Sequence, residues 1–236
     1  MTYRLRALTS RKTYQTLQAV RRNIASSTDP QAASPFVAVG PTPSTTIGPR
    51  ILIVEQCATI NEDEPDDFDA AVASTRRQLF TKWSKSPLWA VISLAVTRLL
   101  GESDGGILRP HVGWTNVAKI GSAGGKPGNP SQASLIEQVN TCASALREEI
   151  GAARPHAVIL ISGPSFGRAI VDRVFETGAW SEYSAAGKAR FRTQNSPLGP
   201  VFWTDSPGAL RYRKSEAEVG DAITNWGAGL SMPNLR

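Results

Sequence analysis

Residues 50–57 read Arg-Ile-Leu-Ile-Val-Glu-Gln-Cys, and the run Ile51 to Val54 sets the fold class. A short continuous apolar run without period-two alternation suits a strand buried on both faces, as in a parallel sheet. Moving outward, Val112–Ile120, Ala157–Ser162 and Val201–Thr204 read as three further strands. Helical patterns separate them. The first is capped by Asp66 or Asp67 and runs to about Phe80, with acids at its positive end. The second opens at Ser86-Pro87, turns Leu88, Ile92, Val96 and Leu99 inward, and stops at Gly101. The third starts at Ser131, aligns Leu135, Val139, Cys142, Leu146 and Ile150, and ends at Gly151. The fourth leaves the turn Gly163-Pro164-Ser165 and runs through Ile170 and Val174 to Gly178. The last follows a capping box, Ser215-x-x-Glu218, and carries Val219, Ala222, Ile223 and Trp226. Strands alternating with helices predict an α/β fold with a mostly parallel sheet covered on both faces. Ligands in such sheets bind outside the carboxyl ends of the strands. That places residues 55–61, 119–129, 163–167 and 205–213 around one crevice.

The chain has 236 residues, enough to bury a core without staples. Two cysteines, Cys57 and Cys142, are too few for a disulfide scaffold, and with two histidines they do not suggest a zinc site. The longest apolar stretch, Leu88–Val96, is about half of the roughly 20 residues a membrane span needs. The N-terminus lacks the apolar region of a signal peptide. The expectation is a soluble, cytoplasmic, monomeric protein with no membrane partner.

Net charge is +6, unevenly distributed. Residues 1–24 carry Arg4, Arg6, Arg11, Lys12, Arg21 and Arg22 and no acid, which accounts for the whole excess. Residues 61–69 hold six acids and no base. Residues 1–24 therefore read as a basic helix or arm, with Tyr14, Leu17 and Val20 at helical spacing. Such an arm suits an anionic partner or a protein partner, or is simply a solvated surface helix or a transit peptide. Residues 25–49 contain five prolines and read as a linker or an extended segment laid over the main domain, residues 50–236.

Several segments carry candidate chemistry. Gly163-Pro-Ser-Phe-Gly167 is either a phosphate site at a helix N-terminus or a tight strand-to-helix turn, and it lacks the spacing of nucleotide-binding glycine loops. No GxSxG elbow is present, and His111 and His156 both precede strands, which favours structural or surface roles. The loop Gly121–Pro130 has four glycines and Lys126, so it is a phosphate-contacting loop or a plain surface loop. Arg211, Arg213 and Lys214 form a basic cluster at the crevice mouth, suited to phosphate or merely solvated. Asn116 stands inside a strand, where asparagine is disfavoured. Its amide offers a donor beside an acceptor and can pair with a nucleobase edge, or it is a satisfied structural residue.

Taken in order, these segments resemble the uracil-DNA glycosylase superfamily. The stretch ILIVEQCAT from Ile51 resembles the family's opening strand and water-activating loop. GWTNVAKI from Gly113 resembles the strand whose asparagine reads the flipped base, which maps onto Asn116. RPHAVILISGPSF from Arg154, preceded by LREEIGA, resembles the third strand and turn. WTDSPGALRYRK from Trp203 resembles the fourth-strand loop, where the family has a His-Pro motif. The resemblance runs from Arg50 to about Trp226 and leaves residues 1–49 uncovered.

The resemblance implies a three-layer α/β/α sandwich with a central four-stranded, mostly parallel sheet. It implies that a nucleotide flips out of DNA and its base enters the crevice. The N-glycosidic bond then breaks with negative charge on the departing base, which a histidine after strand four stabilises. No metal or cofactor is needed. Gln56, Asn116, Lys119 and Pro207 keep the family's residue types. Three demanding positions depart from it: Glu55 stands for glycine, Cys57 for the polar or acidic group, and Ser206 for the histidine. Ser206 supplies no positive charge, and a displaced carboxylate would come from Glu55, Glu62 or Asp63. The expected site therefore has Glu55, Cys57 and Ser206 in the catalytic positions. Gln56, Asn116 and Trp83, or Phe80 in its place, face the base. Lys119, Lys126, Pro207, Arg211, Arg213 and Lys214 lie along the DNA. The expected function is recognition of a flipped nucleobase, with or without hydrolysis. The alternative is a non-catalytic nucleic-acid or nucleotide-binding protein of the same fold, and a protein-interaction module is a third class.

Overall fold

The computed structural model describes residues 5–44, 48–57, 67–85, 111–122, 129–163, 165–175, 184–186 and 188–231, with Trp180 and single helical positions between 89 and 100. The strands are β1 (Arg6–Ala7), β2 (Val39–Gly40), β3 (Ile51–Cys57), β4 (Val112–Ala118), β5 (Ala157–Ile161), β6 (Ser184–Ala186), β7 (Ala189–Ser196) and β8 (Gly199–Thr204). The helices are α1 (Arg11–Ser27), α2 (Phe68–Lys85), α3 (Gln132–Glu137), α4 (Val139–Ala153), α5 (Arg168–Phe175), α6 (Pro207–Arg213) and α7 (Glu216–Ala228).

The fold is α/β, built on one mixed eight-stranded sheet in the order β1-β2-β4-β3-β5-β8-β7-β6. The four strands read from apolar runs are its middle, and β4, β3, β5 and β8 are mutually parallel. The expected four-stranded sheet is thus corrected. Antiparallel β2 and β1 extend it on one side, and antiparallel β7 and β6 on the other. These outer strands escape a search for apolar runs. β2 lies in the proline-rich segment, where short edge pairing tolerates nearby proline. β7 carries Arg190, Arg192 and Gln194, and its buried positions include Arg192 and Gln194.

Register assigns the faces, because neighbouring residues on a strand point oppositely. Thr115, Val54, Leu160 and Trp203 form one rung, and Thr115 hydrogen-bonds α4. The next rung, Asn116, Glu55, Ile161 and Thr204, points to the other face.

The N-terminal residues belong to the core. Ser10 caps α1 by accepting from the Thr13 amide, and α1 buries Tyr14, Leu17 and Ile24. The segment after α1 is extended and fully buried at Val37, Ala38 and Val39. The amide of Phe36 donates to the Lys119 carbonyl at 2.8 Å, and that of Ala33 to Gly121 at 3.0 Å. Residues 25–49 are thus no free linker over this stretch, and the α1 cations line the outside of a packed helix. Arg11 grips Asp69 of α2 through both carboxylate oxygens, at 2.6 and 2.7 Å.

Several element ends differ from expectation. α2 is capped by Asp67, whose carboxylate accepts from Asp69 and Ala70, but it continues past Phe80 to Lys85. The helix begun at Ser131 is two helices, α3 and α4. Between them the Gln138 amide exchanges hydrogen bonds with both backbone groups of Ile120. α4 ends not at Gly151 but at Arg154, in the left-handed conformation with φ of 42°. Ser215 does not form the capping box: its hydroxyl donates to the Leu210 carbonyl, and Glu218 accepts from the Lys188 amide. The helix opened at Ser86-Pro87 falls outside the described residues at its start.

Both histidines sit at the amino ends of the strands. His111 Nδ1 lies 2.8 Å from the Pro49 carbonyl. His156 Nδ1 accepts from the Arg50 amide at 2.9 Å, which requires an unprotonated Nδ1. Burial, and secondarily the Arg50 charge, hold its pKa below the ordinary histidine value. The unfolded chain therefore binds the proton more readily. The contribution of His156 to stability is complete above about pH 6.5 and is lost as pH falls through its folded pKa. Urea unfolding of the wild type should show a stability loss between neutral and mildly acid pH that His156→Gln reduces. An identical pH slope in the variant would rule this out.

Candidate functional site

At the carboxyl ends of β3, β4, β5 and β8 the structure gathers two groups of predicted residues, one toward each face. On the face away from α4, Glu55 and Asn116 are rung partners and Cys57 follows two residues later. All three are buried, Asn116 completely. Glu55 Oε2 accepts from the Trp114 indole at 3.0 Å, which fixes the carboxylate on the Asn116 side of the sheet. Trp114 is itself held between Phe36 and Trp89 by edge contacts. A base reaches the Asn116 amide only after neighbouring side chains move.

The second group lies where β3, β5 and β8 end. The Gln56 amide donates to the Ser162 carbonyl at 2.8 Å. The Trp203 indole donates to the Ser162 hydroxyl at 2.9 Å. Gly163 has φ of +75°, and a side chain there would stand 3.5 Å from the Ser206 amide and 3.9 Å from the Gln56 nitrogen. Gln56, Gly163 and Ser206 therefore meet. At the other end of this turn Gly167, with φ of +60°, lies so close to Val117 that a Cβ would overlap it. Gly167 thus lets α5 pack closely on β4.

Ser206 has a local task. It is the N-cap of α6, its hydroxyl accepting from the Ala209 amide, with Pro207 opening the first turn. That hydroxyl carries no charge at any working pH.

Lys119 is the clearest correction. It is fully buried and faces α4, opposite Asn116. Its ammonium contacts Glu149 Oε2 at 2.5 Å and also bonds the Thr115 hydroxyl. The Thr9 hydroxyl donates to the other Glu149 oxygen at 2.6 Å. The chain turns at Lys119 as β4 ends, so its long side chain folds back along the strand instead of reaching solvent. It cannot contact DNA. Glu149 was legible only as a helix residue, because nothing local pairs it with Lys119, thirty residues away.

Of the basic cluster, Arg211 and Lys214 are exposed. Arg213 is paired with Asp205, its side chain 34% exposed, and ties α6 to the end of β8. Trp83 lies in α2, but its side chain, like that of Phe80 and all of Glu62, Asp63 and Lys126, is outside the described residues. Two aromatic features were not expected. Arg192 is a buried cation that lies against two neighbouring rings, Trp203 at 4.0 Å and Trp180 at 4.6 Å. Tyr212 projects from α6 with 90% of its surface exposed.

A cavity of about 300 Å³ opens beside α1, lined by Arg11, Tyr14, Gln18, Arg22, Asp67 and Phe68. None of the strand-end residues lines it, and its Arg11 is already bound to Asp69. Among the described residues no group of three His, Cys, Asp or Glu side chains gathers to hold a metal. Burial pushes the Cys142 thiol up to about 12, so it is no nucleophile. Among the described residues no helix is long and apolar enough to cross a membrane. The chain matches no protein-family model and no curated protein.

Proposed function

We infer that this chain is a nucleic-acid-binding protein of the uracil-DNA glycosylase type, an α/β/α sandwich that recognises an unstacked nucleobase at its strand ends. The observation that carries the reading is the rung in which Asn116 stands beside Glu55 on one face, at the carboxyl end of the parallel strands. An amide and a carboxylate side by side hold the donor and acceptors that a base edge pairs with, and neighbouring side chains must move to uncover them. Gln56, Gly163 and Ser206 meet at the same end of the sheet but toward its other face. Binding without base release is the first reading. Breaking an N-glycosidic bond leaves negative charge on the base, and the residue at the position that would offset it is a neutral helix cap. A cytoplasmic monomer that uses DNA as its partner, without metal or cofactor, belongs to the same proposal.

Hydrolysis is kept as a second reading by one feature: the Glu55 carboxylate, held by the Trp114 indole, is of the kind that positions water.

Binding of labelled oligonucleotides carrying uracil, hypoxanthine, xanthine or a mismatch tests both. Asn116→Ala, checked for fold by circular dichroism, is expected to erase preference among bases and leave the salt slope unchanged. Abasic sites should not accumulate. If they do, and Glu55→Gln stops them, the chain is a glycosylase. No binding of any oligonucleotide at low salt would refute both readings.

A further inference from the structure

Among the described residues, Tyr212 and Ile136 are the large apolar side chains left exposed, and only Tyr212 has cations beside it in the chain. Arg211 precedes it, and Arg213 and Lys214 follow it. The helix beneath it is held at both ends. Ser206 caps the start of α6, Leu210 is fully buried, and the Arg213 guanidinium grips the Asp205 carboxylate. At the far end Lys214 takes the left-handed conformation with φ of 54°, and the Ser215 amide donates to the Leu210 carbonyl at 3.0 Å. A flat ring is thus displayed on a fixed support, nearly two helical turns from Ser206, which meets Gly163 and Gln56.

We propose that α6 is a stacking platform for an unpaired nucleobase, with the Tyr212 ring taking the base face and Arg211 and Lys214 taking the flanking phosphates. This surface accordingly selects single-stranded nucleic acid over duplex. The proposal rests on the nucleic-acid-binding reading above and adds the strand class to it. Inside a duplex both faces of a base are covered by its neighbours, and an unpaired strand exposes them. A tyrosine ring has two side-chain torsions to order, so holding it against a base loses little entropy. The charge distribution points the same way. The chain beyond residue 24 is formally neutral, so long-range attraction to a duplex is weak there. Stacking needs no such field, and two flanking cations are enough to fix the backbone beside the ring.

The test uses the full chain, a short fluorescein-labelled oligothymidylate, and the same oligonucleotide annealed to its complement. The wild type is expected to bind the single strand more tightly. Tyr212→Ala should weaken single-strand binding about five- to hundredfold and leave duplex binding unchanged. Tyr212→Trp should keep the affinity and show quenching of the new indole as the single strand is added. Arg211→Ala should reduce the salt slope by about 0.7. Tyr212 packs against nothing in the core, so its variants retain the wild-type melting transition. Wild-type binding that Tyr212→Ala leaves intact, or a preference for the duplex, overturns the platform and spares the nucleic-acid reading. A wild type that binds neither strand form at low salt overturns both.

Discussion

Lys119→Met is expected to cost about 3–5 kcal/mol of folding stability, because it leaves the Glu149 carboxylate buried without its cation. Lys119 and Glu149 have no exposed side-chain surface. The two hydroxyls that reach the carboxylate, from Thr9 and Thr115, solvate it in part but carry no charge. The double variant Lys119→Met with Glu149→Gln removes both charges and keeps an acceptor for a hydroxyl. It should recover most of the loss, since neutral replacements of a buried pair are often tolerated. Urea unfolding at neutral pH measures both. A loss near zero in the single variant would mean that water reaches the pair. Were Lys119 a DNA contact, the single variant would instead lower the salt slope of binding with stability intact.

Deleting residues 1–40 is expected to abolish cooperative folding. Leu5, Leu8, Tyr14, Leu17, Ile24, Phe36, Val37 and Val39 are all buried in the one core. Each large apolar side chain of this kind contributes about 1.5–3 kcal/mol by leaving water. Together they match or exceed the roughly 5–15 kcal/mol that a domain has in hand. The deletion also uncovers the edge of β4 at Trp114 and takes Thr9 from Glu149. Near-ultraviolet circular dichroism and a thermal scan would show neither fixed aromatic packing nor a sharp transition. A shortened chain that melts cooperatively near the full-length temperature would instead make residues 41–236 a self-sufficient domain.

These two expectations mark what could and could not be read from the residues in order. Ile51–Val54 and Ala157–Ile161 announce themselves because a strand covered on both faces needs apolar residues at every position. Ser131 and Asp67 were legible as caps because capping is local, made within three residues. Ser215-x-x-Glu218 has the same pattern and failed, since Leu210 and Lys188 compete for the two side chains from outside the helix. In the candidate site, Glu55, Gln56, Asn116 and Ser206 do come to the strand ends, as alternating β and α elements require. That Ser206 serves α6 follows from the Ser-Pro pair beside it, whereas the partition of Glu55 and Gln56 onto opposite faces needed the register.

Lys119 and Arg192 show where the residues alone fall short. Each is a cation that composition assigns to the surface, and each is buried, one against Glu149 and one against the Trp180 and Trp203 rings. Residues 25–40 read as a linker or an extended segment laid over the domain, and only the structure shows their apolar side chains within the core. By itself the sequence determined the four parallel strands, their order along the chain, and the end of the sheet where polar residues collect. Those depend on hydrophobic runs and turns that act within a few residues. Only the tertiary structure decided which charges are buried, which segment closes each sheet edge, and which aromatic ring stands in water. Burial of Lys119 and closure of the β4 edge rest on pairings across thirty to 140 residues that no local pattern encodes, whereas β7 joins β8 through a local hairpin.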